Sequence, residues 1–76
     1  MGARWHYSTK WGTFWIIQKE GRFDVILSDE SLGSYASPDL ALCDLLGGHT
    51  YSPSNGLDTS NAGLPEDLTE WAFEEG

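Results

Sequence analysis

The chain is short of several things, and each shortage closes off a class of protein. It holds one cysteine, Cys43, in 76 residues, so no intramolecular disulfide framework can staple it, and a lone thiol fits a reducing compartment. Four lysines and arginines stand against twelve acids, a formal charge of −8. A surface of that sign repels phosphate backbones unless its few bases gather in one place. Arg4, Lys10, Lys19 and Arg22 are spread through the first third of the chain without a cluster, which argues against direct nucleic-acid binding. No apolar run approaches the roughly 20 residues of a membrane span, and no basic-then-apolar leader opens the sequence. The expected location is the cytoplasm, with no membrane partner. His6 and His49 are the only histidines, too few beside one cysteine for a closed zinc site. Neither a metal nor a cofactor is implied.

What the chain does have is aromatic bulk. Four Trp, three Tyr and three Phe partly offset the small size, because each ring can bury a large apolar area. One small domain, 1–76, is expected, folded around a single core.

The clearest local signal is a short helix. Ser37 is placed as an N-cap, Pro38 sits at the first helical position and Asp39 suits the positive end of the dipole, while Gly47 and Gly48 supply a left-handed stop. Leu42, Leu45 and Leu46, with Ala41 alongside, make one apolar stripe. Before the helix, Thr13-Phe-Trp-Ile-Ile-Gln18 and Arg22-Phe-Asp-Val-Ile-Leu27 read as a hairpin closed by Glu20-Gly21. That register puts Phe14 with Leu27, Ile16 with Val25 and Gln18 with Phe23 on a face that should meet the helix. Lys19 with Arg22, Ile17 with Asp24 and Trp15 with Ile26 fall on the other face.

A third strand is expected over 32–36, after a tight connection at Ser28-Asp29-Glu30-Ser31, with Gly33 admitting close approach of the backbone. Residues 1–10 read as an N-terminal arm or an added edge strand, 11–36 as a β-meander, 37–47 as the helix and 48–76 as a wrapping coil with an acidic tail. In that coil Asn55-Gly56, Asp58-Thr-Ser60 and Asn61-Ala-Gly63 are turn signals, and Leu57 and Leu64 are candidate anchors. Leu64 to Trp71 reads as a short helical turn whose Leu68 and Trp71 cover Trp15 and Ile26. The expected fold is therefore α+β: a three-stranded antiparallel sheet (β-β-β-α) with one packed helix, then a long coil and a short C-terminal helical turn wrapping the sheet.

The hairpin followed by Gly33-Ser-Tyr-Ala-Ser-Pro, Asp44-Leu-Leu-Gly-Gly-His-Thr50, Gly56-Leu-Asp-Thr-Ser60 and Gly63-Leu-Pro-Glu-Asp-Leu68 resembles a family of small uncharacterised bacterial proteins, over roughly residues 13–71. The resemblance brings no known activity with it. The β-β-β-α order is also similar to small DNA-binding sheet domains. Those lay basic strands in a groove, whereas the strands here offer Asp24, Glu20 and serines.

Chemistry-bearing residues are sparse. Cys43 reads as a small buried apolar side chain and His49 as a contact at the helix C-terminus. Asp24, Asp44 and Asp58 show no spacing that implies a cleft, so no catalytic residue is assigned and an enzyme is not expected. Two groups stand out as partner-binding candidates. Glu66, Asp67, Glu70, Glu74 and Glu75 concentrate carboxylates near the C-terminus, and Trp5, Tyr7 and Trp11 offer aromatic anchors near a strand edge. Together they point to a non-enzymatic acidic protein-binding module. It would be an inhibitor or adaptor engaging a basic, nucleic-acid-handling protein, in the style of phage-encoded anti-defence or anti-CRISPR proteins. The alternative is a small bacterial domain that self-associates, as a homodimer for example, or binds a small ligand through its aromatic strand edge.

Overall fold

The computed structural model describes residues 2–50 and 59–75. β1 (Ala3–Thr9), β2 (Gly12–Lys19), β3 (Arg22–Leu27) and β4 (Glu30–Tyr35) form consecutive antiparallel pairs, with apolar–polar alternation in β1 and unbroken apolar runs at Phe14-Trp-Ile-Ile17 in β2 and Val25-Ile-Leu27 in β3. Helix α1 (Pro38–Gly47) follows, and a final strand, β5 (Ala72–Glu75), returns to pair with β1. The sheet order is β4-β3-β2-β1-β5. The fold is α+β with one helix on a five-stranded antiparallel sheet.

The β2–β3 hairpin has the register its side chains dictate: Phe14 opposite Leu27, Trp15 opposite Ile26, Ile17 opposite Asp24 and Lys19 opposite Arg22. Its turn uses Glu20 and Gly21 at φ 53° and 80°, the mirror-image turn that matches strand twist. The β3–β4 turn repeats that conformation with Ser28 and Asp29 at φ 50° and 69°, a strained choice for side-chain-bearing residues. The register then slips between Val25 and Ile26, which pair with Gly33 and Ser31. The extra residue of this bulge, Leu32, turns into the core and is 1% exposed. Opposite Val25, Gly33 sits at φ 149°, and a Cβ there would lie 3.0 Å from the Tyr35 ring. The close approach expected of Gly33 is thus to a side chain of its own strand.

Helix α1 starts where its cap residues place it. The Ser37 hydroxyl accepts from the Leu40 amide at 3.2 Å, and Pro38 follows. At the other end Gly48, at φ 71°, donates to the Leu45 carbonyl and His49 donates to the Asp44 carbonyl at 2.9 Å, the paired bonds of a Schellman stop. Ala41, Leu42 and Leu45 are buried and Leu46 is partly buried against the same cluster. The helix lies over β2, β3 and β4 and closes on Phe14, Ile16, Val25, Leu27 and Leu32.

Three expectations need correction. First, the sheet has five strands, not three: residues 3–9 are a strand, as the second of the two readings had it, and not an arm, but one placed between β2 and β5 over Ala3–His6 instead of at the edge. Trp5 and Tyr7 add to the apolar side of the sheet, and pairing with β5 covers the outer edge of β1 from Ala3 to His6. Second, the C-terminal segment does not wrap onto Trp15 and Ile26. Ala62 and Leu64, after a 3₁₀ turn at Thr59–Asn61, and Trp71, after a second at Leu68–Glu70, enter the core on the helix side. The Trp71 ring packs 5.9 Å from that of Tyr7, and its indole N–H donates to the Pro65 carbonyl at 3.3 Å. Third, Cys43 is exposed. It is the residue after Leu42, so one step of the helix carries it about 100° away from the apolar stripe. The turn signals at 55–58 and the anchor Leu57 lie outside the described residues. Among the described residues no helix is long and apolar enough to cross a membrane.

Candidate functional site

Strand alternation sorts the sheet into two faces. Trp5, Tyr7, Phe14, Ile16, Phe23, Val25, Leu27 and Phe73 point to the covered face, beneath α1 and the C-terminal segment. Arg4, His6, Trp15, Ile17, Lys19, Arg22, Asp24, Ile26, Ser34 and Glu74 share the open face. Among the described residues, nothing packs across that second face, and Trp15, Ile17 and Ile26 remain half-buried.

The C-terminal acids do not form one surface. Glu66, Asp67 and Glu70 are exposed on the link between Leu64 and Trp71, while Glu74 and Glu75 are on β5. Two of the five have structural partners. The Asp67 carboxylate accepts from the Thr69 amide at 2.9 Å, which holds its pKa below the usual 3.8. Glu74 lies opposite Arg4 across the β1–β5 pair, with Arg4 Nη2 at 3.5 Å. Its other oxygen comes within 3.3 Å of His6 Nδ1, but without hydrogen-bond geometry, so that nitrogen is buried without a partner.

The three aromatic candidates also separate. Trp5 sits between Phe23 and Phe73, ring centroids at 6.2 and 5.3 Å, beside the sheet edge that β5 forms. Tyr7 belongs to the core, held by Trp71. Trp11 is in the β1–β2 turn, 36% exposed, with the Lys10 ammonium 4.8 Å above its ring. Only Trp5, Glu74 and Glu75 come together at the β1–β5 pair.

Two features were missed from sequence. One is Phe73, 54% exposed on the edge strand; its four-residue strand, ending in two glutamates, carries too little alternation to read. The other is the distribution of charge. Three of the four bases, Arg4, Lys19 and Arg22, lie on the open face, contrary to the expectation that they do not cluster. The hairpin register already paired Lys19 with Arg22 on that side; the missing step was β1 as a neighbour, which adds Arg4 and His6. Arg22 is fixed there by bonds from its guanidinium to the Ser34 hydroxyl at 2.8 Å and carbonyl at 3.1 Å. With Asp24 and Glu74, the face totals three bases and two acids, formally +1, leaving −9 of the chain's −8 for everything else.

His49 is exposed beyond the helix stop. With Leu32, Gly33, Ser34 and Tyr35 it lines an open depression of about 260 Å³. No three histidine, cysteine or carboxylate side chains converge as metal ligands among the described residues. Comparison with protein-family models, with curated proteins and with solved structures found no match to this chain.

Proposed function

We propose that this chain is a non-enzymatic acidic protein-binding module, an inhibitor or adaptor that engages a basic, nucleic-acid-handling protein. The observation that carries the reading is the segregation of charge. Among the described residues, the helix side, the turns and the C-terminal segment hold nine of the eleven acids and, of the bases, only Lys10. A partner groove lined by Lys and Arg would meet a side of the molecule that is almost purely anionic, and association would be steered by that field. β5 gives the contact a firm edge. It pairs only with β1 in the sheet order, is exposed throughout, and sets Phe73 beside Glu74 and Glu75. An aromatic anchor within a charged rim is the composition of a protein contact.

The test is capture of partners from host lysate by the tagged protein at low and high salt, beside a Glu66→Gln, Glu70→Gln, Glu75→Gln variant. Those three residues are chosen because Asp67 and Glu74 hold structural contacts. A stoichiometric nucleic-acid-handling protein, lost in high salt and in the variant, is the expected result. A partner held equally under all conditions would overturn the electrostatic reading. The alternative, self-association or small-ligand binding at the aromatic edge, is favoured by the exposed Phe73 beside Trp5. It predicts that Phe73→Ser abolishes the contact and the glutamine variant does not.

A further inference from the structure

The open face of the sheet has the opposite character from the rest of the molecule. Its centre is apolar and aromatic: Trp15 with Ile26, and Ile17, on the two central strands. His6 stacks on Trp15 with ring centroids 4.6 Å apart. Around that centre stand Arg4, Lys19, Arg22, Asp24 and Glu74. In a chain of charge −8, this is the one sheet face on which a second copy would meet no excess of like charge.

The register makes the face self-complementary. Across one row the order is Glu74, Arg4, Ile17, Asp24, Ser34, from β5 to β4. A two-fold axis running along β2, between two such faces, sets β1 of one copy over β3 of the other. Ile17 then meets its symmetry mate, Trp15 meets its own, and Arg4 of each copy comes over Asp24 of the other. A two-fold axis perpendicular to the strands offers no such pairing, since β1 would then lie over β1. The unfavourable meeting is in the Lys19–Arg22 row, where Lys19 meets its mate and Arg22 of each copy lies beside Lys19 of the other. Both residues are exposed at the rim beside the turn, where long side chains can turn to water.

We infer that the open face, centred on Trp15, Ile17 and Ile26, is a homodimer interface in which Arg4 of each copy pairs with Asp24 of the other. Five strands about 4.8 Å apart and about 20 Å long give roughly 450 Å² per copy. That is below the roughly 800 Å² per partner of standard stable complexes, so the dimer is a weak one, formed at high protein concentration. It leaves the acidic surface proposed for the basic partner uncovered except at Glu74 of β5, and the two contacts respond to salt in opposite senses. Salt weakens contact between opposite charges, but it relieves the repulsion between two bodies of charge −8, so the dimer strengthens from about 20 to 150 mM salt.

Sedimentation equilibrium of the full chain from about 10 µM to about 1 mM tests this, with dilution shifts of the Trp indole and isoleucine methyl NMR signals locating the contact. A reversible dimer is expected, with shifts at Trp15, Ile17 and Ile26. Asp24→Arg and Arg4→Glu should each weaken it at least about fivefold, and the double variant should recover to within about twofold of the parent. Ile17→Lys should abolish it; if that variant does not fold, the charge cycle decides alone. A monomer through about 1 mM would overturn the inference. So would dilution shifts confined to Phe73, or a charge cycle with no recovery. Binding of an oligothymidylate to this face by a protein that stays monomeric would overturn it as well, and would give the three bases to a polyanion instead.

Discussion

The two faces of one sheet are built from the same strands, yet they do different things. On the covered face Phe14, Ile16 and Val25 are 0% exposed, and α1, Leu64 and Trp71 close over them. On the open face Trp15, Ile17 and Ile26 alternate with those residues along the same backbone and remain half-buried beneath no described element. One residue of register separates a side chain that holds the fold together from one available to a partner. In β2, Phe14-Trp15-Ile16-Ile17 is apolar at every position, so hydrophobicity alone cannot say which side is core. Charge does: beside Ile26, the neighbours of Trp15 and Ile17 are Arg4, His6, Lys19 and Asp24, while those of Phe14 and Ile16 are Tyr7, Trp5, Leu27 and Val25.

The sharpest way to break this contrast is to truncate both sides. Phe14→Ala should cost about 3–5 kcal/mol, since a fully buried ring leaves a cavity the surroundings fill only in part. Ile17→Ala, one strand position parity away, should cost no more than about 1 kcal/mol in the monomer. Urea denaturation at low protein concentration measures both. Equal losses would mean that the open face is core, and the interface assigned to it would fall with the contrast.

A second substitution asks how firmly the C-terminal segment belongs to the covered side. Trp71 is 4% exposed, packed on Tyr7 and bonded through its indole nitrogen to Pro65. Trp71→Ala should cost about 3 kcal/mol. It should also release β5, because Trp71 is the residue immediately before that strand. Hydrogen exchange should then show lost protection in β1 amides facing β5, while the β2–β3 pair stays protected. Uniform loss across the sheet would show the segment to be part of one cooperative core.

These contrasts mark how far the sequence could be read. The β2–β3 register and the α1 caps were legible because they are local: a two-residue turn fixes the first, and Ser37, Pro38 and Gly48 fix the second. What escaped depends on contacts distant in sequence. β1 is recognised as interior only once β5 is known, and Ala72-Phe-Glu-Glu75 has no strand signature of its own; it forms because β1 offers an unpaired edge and Arg4 faces Glu74. The same gap hid the site. Lys19 and Arg22 already pair across the hairpin, but Arg4 is distant along the chain and joins them only when β1 is laid against β2.

The β3–β4 turn gives a smaller effect of opposite sign. Ser28 and Asp29 both hold positive φ without being glycine, where a Cβ is disfavoured by about 1–2 kcal/mol per residue. Replacing Asp29 by Gly, which adopts that conformation freely, should stabilise the protein by about 0.5–1 kcal/mol, read as a higher urea midpoint with unchanged slope. Because the turn lies beyond the Leu27–Glu30 pair, away from Arg4 and Asp24, dimerisation should not respond. A gain in stability accompanied by a change in dimer affinity would show that the open face depends on how β4 is held.

The smallest expected effect belongs to Asp67, on the covered side. Its carboxylate accepts from the Thr69 backbone amide and is drawn below 3.8 by that bond first and by the Thr69 hydroxyl second. A folded-state pKa below the unfolded one means that its contribution is present in full above the unfolded value and disappears as pH falls through the folded one. The group is fully exposed, so the loss on acidification should be slight. It should appear only below the ordinary carboxylate range, and be absent in Asp67→Ala. Measuring thermal midpoints of the two proteins from neutral pH downward gives the comparison. If they stay parallel, the Thr69 bond does not distinguish folded from unfolded chain, and the 3₁₀ turn at Leu68–Glu70 is held by the burial of Trp71 alone.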